Sequence, residues 1–227
     1  MNCVVPNSIP ILWFGDMEAY LKSKKKVVTV GLNPSLKEFP ADRDRFPLAA
    51  SLRGKKELSS KDVEVYTAAM NAYFETVPYG KWFNHFEKAL NPLDASYYAT
   101  NRTTHHAIHI DIYTPSATVP TWSGLCEDQR RYIDEKSNGL FEDMIAILKP
   151  DVVLVSANST VVKEQFPMVD FKAYIGDADK GSHYLRAGKT KEGICVIWGF
   201  NNISGPFSIK KETLEEKIKQ IKKDYSL

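Results

Sequence analysis

Carboxamides and small residues gather in four short stretches of this sequence: Gly31-Leu32-Asn33-Pro34-Ser35, Asp111 to Ser116, Ser156-Ala157-Asn158 and Asn201 to Ser208. One amide side chain offers both a hydrogen-bond donor and an acceptor, which suits it to reading the edge of a nucleobase. Asp111 stands among strand-like apolar residues and must find partners if it is buried, either as a substrate-facing acid or as a structural acceptor of loop amides. Asn158 either reads a base edge or caps the helix that follows it. Arg43, Arg45, Arg53, Lys55 and Lys56 form a basic cluster, read as a solvated loop or as phosphate contacts. His105 and His109 would share a face of a helix, but their segment reads as strand, and without an H-E-x-x-H pattern no metal site is expected. Cys3, Cys126 and Cys195 are odd in number and far apart, which suggests neither a disulfide framework nor a zinc site. No Walker A lysine motif, G-x-G-x-x-G or G-x-S-x-G occurs, which argues against P-loop, Rossmann dehydrogenase and serine hydrolase chemistry.

These stretches follow segments that read as buried strands. Val27 to Val30 is β-branched throughout and ends at Gly31, where a backbone without a side chain permits close approach. Pro34 then pushes Asn33 towards extended geometry. Ala107 to Tyr113 alternates as a second strand, Val152 to Val155 is a third, and Ile194 to Trp198 a fourth. Helices are expected over Ile11 to Lys24, from Ser59 to about Thr76, and around Trp82 to Leu90. Further helices are expected over Ser123 to Lys149 with a break at Ser137-Asn138-Gly139, over Ser159 to Phe166, and over Lys210 to Tyr225. Phe171 to Gly193 reads as a polar, glycine-bearing segment with a small hairpin around Tyr184 to Lys189. Helices alternating with all-apolar strands predict an α/β fold of three α/β/α layers around a central, mainly parallel four-stranded sheet. With parallel strands, the four loops would meet at one edge of the sheet, where open α/β sheets place their ligands.

At 227 residues the chain can bury a full core, and a single domain over residues 1–227 accounts for it. A hydrophobic fraction of 43% and a charged fraction of 26% are those of an ordinary soluble protein. The absence of a long apolar run and of a signal-peptide pattern predicts a cytoplasmic protein without a membrane partner. A net charge of +2 neither requires nor excludes a nucleic-acid partner.

Taken in order, these residues resemble the uracil-DNA glycosylase superfamily. Gly31-Leu32-Asn33-Pro34-Ser35 is similar to its first motif, in the asparagine form of the mismatch-specific and single-strand-selective branches. Arg45-Phe46-Pro47, Trp82-Phe83, the strand opening at Pro150 and the Asn202 to Ser208 loop follow in the family's order. The final loop departs from the family pattern by lacking a proline between its asparagine and serine and by one extra residue. The resemblance implies a monomeric DNA glycosylase, acting on single- or double-stranded DNA, that flips out uracil or a related deaminated base and hydrolyses its N-glycosidic bond with no metal or cofactor. Asn33, placing the water, and Asn202, contacting the base, would be catalytic. Gly31, Leu32, Pro34, Ser35, Phe46, Asp111, Asn158 and Ser204 would bind the substrate base. Arg43, Arg45, Gly205, Phe207 and Ser208 would face the DNA, with Phe207 as the wedge in the stack. Phe46 is alternatively a local core residue. The alternatives in function are a non-catalytic nucleic-acid-binding protein of the same fold and a small-molecule nucleotide or sugar hydrolase.

Overall fold

The chain runs in the order α1 (Met17–Lys22), β1 (Val27–Gly31), α2 (Ser60–Asn71), α3 (Gly80–Leu90), β2 (Ala95–Ser96), β3 (His105–Asp111), α4 (Glu127–Ser137) and α5 (Leu140–Leu148). It continues through β4 (Val152–Val155), α6 (Ser159–Gln165), β5 (Met168–Ile175), β6 (Leu185–Thr190), β7 (Cys195–Trp198) and α7 (Lys211–Asp224). The structure, a computed structural model, describes residues 3–6, 8–40, 43–98, 103–176, 184–199 and 209–227. Among these, seven strands form one sheet in the order β2-β3-β1-β4-β7-β6-β5. No helix among the described residues is long and apolar enough to cross a membrane.

The expected four strands stand side by side as β3, β1, β4 and β7, but the sheet is larger than expected. β4 lies parallel to both β1 and β7, and every residue of β1, β4 and β7 is buried, as their mostly apolar sequences require; the one side chain among them with a hydroxyl, Thr29, shares a hydrogen bond with Tyr97 Oη. Beyond β7, β6 and β5 continue the sheet antiparallel, in place of a polar segment carrying one small hairpin. β5 hides its strand character because it is exposed over Val169 to Lys172 and carries Asp170 and Lys172, the kind of charge that blunts a sheet edge. β2 is only two residues long.

The described chain forms two compact units, each assembled from three stretches. The first comprises Met1–Glu18, Gly31–Tyr79 and Ile108–Leu148, and the second Ala19–Val30, Gly80–Ala107 and Lys149–Leu227. In the first unit, α2 opens on a capping box: the Ser59 hydroxyl accepts from Asp62 N–H and the Asp62 carboxylate accepts from Ser59 N–H. Its buried face, Tyr66, Ala69 and Met70, fixes the N-terminal segment. Tyr66 Oη donates to Pro10 O and accepts from Leu12 N–H, both at 3.0 Å, and Trp13 Nε1 donates to Asn71 Oδ1 at 3.1 Å. The helix expected over Ile11 to Lys24 is therefore shorter, starting at Met17. Phe14 instead exchanges backbone hydrogen bonds with His109 of β3, and Gly15 turns the chain at a φ of 110° that only glycine adopts readily.

In the second unit, α3 buries Phe83, Phe86, Ala89 and Leu90 on one face, and α7 buries Leu214, Ile218 and Ile221. The break expected near Gly139 separates α4 from α5 of the first unit, with Gly139 at a φ of 80°.

Candidate functional site

Asn33 sits two residues beyond β1, and its carboxamide is fixed. Its Nδ2 donates to Thr118 Oγ1 at 2.8 Å and to the Pro34 carbonyl at 2.5 Å. A carbonyl can only accept, so the nitrogen must face Pro34, and the orientation of the amide is decided without reference to the ambivalent hydroxyl. Oδ1 is left without a protein partner among the described residues. Thr118 is fully buried, and its backbone holds the same loop: Thr118 N donates to Pro34 O at 3.0 Å, and Leu36 N donates to Thr118 O at 2.9 Å.

The end of β3 closes on the start of this loop. Ile112 N donates to Gly31 O at 3.1 Å and Tyr113 N to Leu32 O at 3.0 Å. A methyl group at Gly31 would lie 2.5 Å from Asp111 Oδ1 and 3.1 Å from His109 Nε2, so glycine is required here for close approach. The Asp111 side chain is 6% exposed, and its Oδ1 lies 3.6 Å from Nε2 of buried His109. Gly31, Leu32, Asn33, Pro34, Ser35 and Asp111 are thus brought together.

Glu38 lies three residues beyond Ser35 and carries no sequence signal, since an acid between lysine and phenylalanine in a loop reads as solvated. In the fold it is 7% exposed, and its Oε1 accepts from Tyr73 Oη at 2.6 Å. The same Tyr73 oxygen accepts from Tyr79 N–H at 3.1 Å. Burial pushes the Glu38 carboxyl up to about 8, opposed by the Tyr73 hydrogen bond; the negative charge of Asp111 raises it further and Arg45 lowers it. A neutral carboxyl therefore stands behind the Asn33 loop near pH 7. Thr118 is the other residue that sequence alone did not indicate, because its contact with Asn33 spans 85 residues.

Arg45, expected at a DNA phosphate, is 5% exposed and three of its five N–H donors are committed. Nε donates to Glu38 O at 2.8 Å, and Nη1 to Val77 O at 2.9 Å and Pro78 O at 3.0 Å. It ties the loop to the turn after α2 rather than facing solvent. Arg43 is exposed. Phe46 is 5% exposed, stacks on Phe39 at a centroid distance of 5.9 Å, and packs tilted on Phe14 and Tyr73 at 6.1 and 5.2 Å.

No protein-family model matches the sequence, and no characterised protein is significantly similar to it.

In the second unit Asn158 is the N-cap of α6, its Oδ1 accepting from Val161 N–H at 3.0 Å. Asn202, Ser204, Gly205, Phe207 and Ser208 lie outside the described residues. The histidines considered for metal binding fall along β3, with His105 and His106 half-buried and His109 packed edge-on to Phe14 at 5.5 Å. No disulfide joins the three cysteines, of which Cys3 and Cys195 are buried and Cys126 exposed.

Proposed function

We propose that this chain is a DNA glycosylase of the uracil-DNA glycosylase type, with that superfamily's three-layer arrangement, acting in the cytoplasm as a monomer on uracil or a related deaminated base flipped out of DNA. The observation that carries the reading is the fixed carboxamide of Asn33, with Oδ1 left over as an acceptor in the loop that follows β1. In N-glycoside hydrolysis the bond from C1′ to the base nitrogen breaks and its electron pair departs with the base, leaving an oxocarbenium sugar. Water then adds to C1′ through oxygen, and one of its protons is released, so that the products are a sugar hemiacetal and a protonated base. Asn33 Oδ1 would accept a hydrogen bond from that water and hold it in line. An amide cannot take the proton, so the rate would depend on placement of the water and on stabilising charge on the departing base. Backbone amides around Leu32 and Ser35 would provide that stabilisation. Fixing Asn33 through two hydrogen bonds preorganises it, which is where such a mechanism gains its rate.

The test is alkaline strand cleavage of labelled oligonucleotides carrying uracil opposite guanine and in single strands. Product from the parent protein that is lost in Asn33→Ala supports the proposal. Salt-sensitive binding with no product at high protein concentration would sink it and favour a non-catalytic nucleic-acid-binding protein.

A further inference from the structure

A cavity of about 380 Å³ lies in the first unit between the N-terminal segment and the loop after Ser35, and neither Asn33 nor Asp111 lines it. Its volume falls within the roughly 300–1,000 Å³ typical of small-molecule sites. Its walls are apolar, formed in part by Ile9, Leu36, Phe39, Phe46 and Ala49. Phe46 is buried beneath Phe39, the two rings stacked with planes inclined by 11°, so half-buried Phe39 is the aromatic residue with surface left to offer the cavity.

Four charged side chains also line the cavity, and three of them are already engaged. Arg45 serves the carbonyls of Glu38, Val77 and Pro78. Arg53 pairs with Asp44, whose carboxylate also accepts from Phe46 N–H. Arg43 remains, exposed, its backbone N–H donating to Pro40 O at 3.1 Å and its guanidinium without an ion pair or hydrogen bond among the described residues. An apolar pocket with a flat wall and one uncommitted guanidinium is complementary to a flat ring bearing an anion. The ring would stack and exclude water, and the guanidinium would form charge-assisted hydrogen bonds to the anionic oxygens.

We propose that this cavity is a binding site for a planar aromatic ring carrying one anionic group, with the ring against Phe39 and the anion at Arg43. Neither Asn33 nor Asp111 is needed for this binding, so the site stands whether or not the chain cleaves DNA. A nucleoside monophosphate and an aromatic carboxylic acid share this chemistry.

Calorimetric titration of the full chain with adenosine 5′-monophosphate, indole-3-acetate, adenosine and inorganic phosphate tests the proposal. At least one ring-plus-anion compound is expected to bind about tenfold or more tightly than adenosine and phosphate, since both halves contribute. Tighter binding of the nucleotide assigns a phosphate ligand, and tighter binding of indole-3-acetate assigns a carboxylate. Arg43→Gln, at an exposed position, is expected to weaken that binding about tenfold with the circular dichroism spectrum unchanged. Ala49→Leu, which fills the cavity, is expected to abolish it. Binding of neither ring-plus-anion compound, equal binding of adenosine or phosphate, or affinity unchanged in Arg43→Gln overturns the proposal.

Discussion

Glu38 makes stability depend on pH in a direction opposite to that of an ordinary ion-paired carboxylate. In the unfolded chain its carboxyl titrates near 4.5, whereas in the fold burial among Tyr73, Asp111 and Arg45 moves it to about 8. Below pH 4.5 both states hold the proton and its stabilising contribution is complete. Between 4.5 and about 8 the folded state keeps a proton that the unfolded state has lost, so stability falls as pH rises and levels off above 8. At about 1.4 kcal/mol per pH unit the window amounts to roughly 3–5 kcal/mol. Glu38→Gln mimics the protonated acid, retains an acceptor for Tyr73 Oη, and cannot titrate. Urea unfolding followed by the fluorescence of Trp13 and Trp122 is therefore expected to show the parent and Glu38→Gln within about 1 kcal/mol of each other at pH 4.5. At pH 8.5 the variant is expected to be the more stable by about 3 kcal/mol. A difference that does not change with pH, or a parent that gains on the variant as pH rises, would refute the reasoning.

Gly31→Ala drives a methyl group into Asp111 and is expected to cost about 1–3 kcal/mol of unfolding free energy, with the chemical shifts of Asp111 and His109 displaced. Arg45→Met leaves the carbonyls of Glu38, Val77 and Pro78 without their donor and is expected to cost about 2–4 kcal/mol in denaturant unfolding. If Arg45 instead contacts phosphate, the variant would keep its stability and reduce the salt dependence of DNA binding. Asn158→Ala is expected to lose about 1 kcal/mol through the cap of α6, and Asn158→Ser to restore most of it.

The interior of the sheet was legible because β1, β4 and β7 are runs of apolar and β-branched residues with no charged side chain, the composition of strands covered on both faces. The caps of α2 and α6 and the break at Gly139 were legible because each is decided by residues within a few positions of one another. The edge was not legible. β5 shows water Val169 to Lys172, so its composition resembles a loop, and only the ladder with β6 makes it a strand. Ile11 to Phe14 has helical spacing, yet its partners, Tyr66, Asn71 and His109, are remote in sequence. The candidate site divides in the same way. Gly31 to Ser35 announces itself through glycine, asparagine and proline in five residues, whereas the groups that fix or adjoin it, Thr118 and Glu38, have no local pattern. Arg45 was visible as a cation, but its neighbours in sequence do not reveal that its donors face inward.

In the proposed mechanism the Asn33 carboxamide, held by Thr118 and the Pro34 carbonyl, orients the attacking water. Single-turnover release of free uracil from a uracil-containing oligonucleotide tests it most directly, comparing the parent with Asn33→Ala and Thr118→Val. Measurable release is expected from the parent, a loss of about 100-fold or more in Asn33→Ala, and a smaller loss in Thr118→Val, which keeps the shape of the site but removes one of the two hydrogen bonds that hold the amide. Release by Asn33→Ala at the rate of the parent, or no release by any of the three, would contradict it.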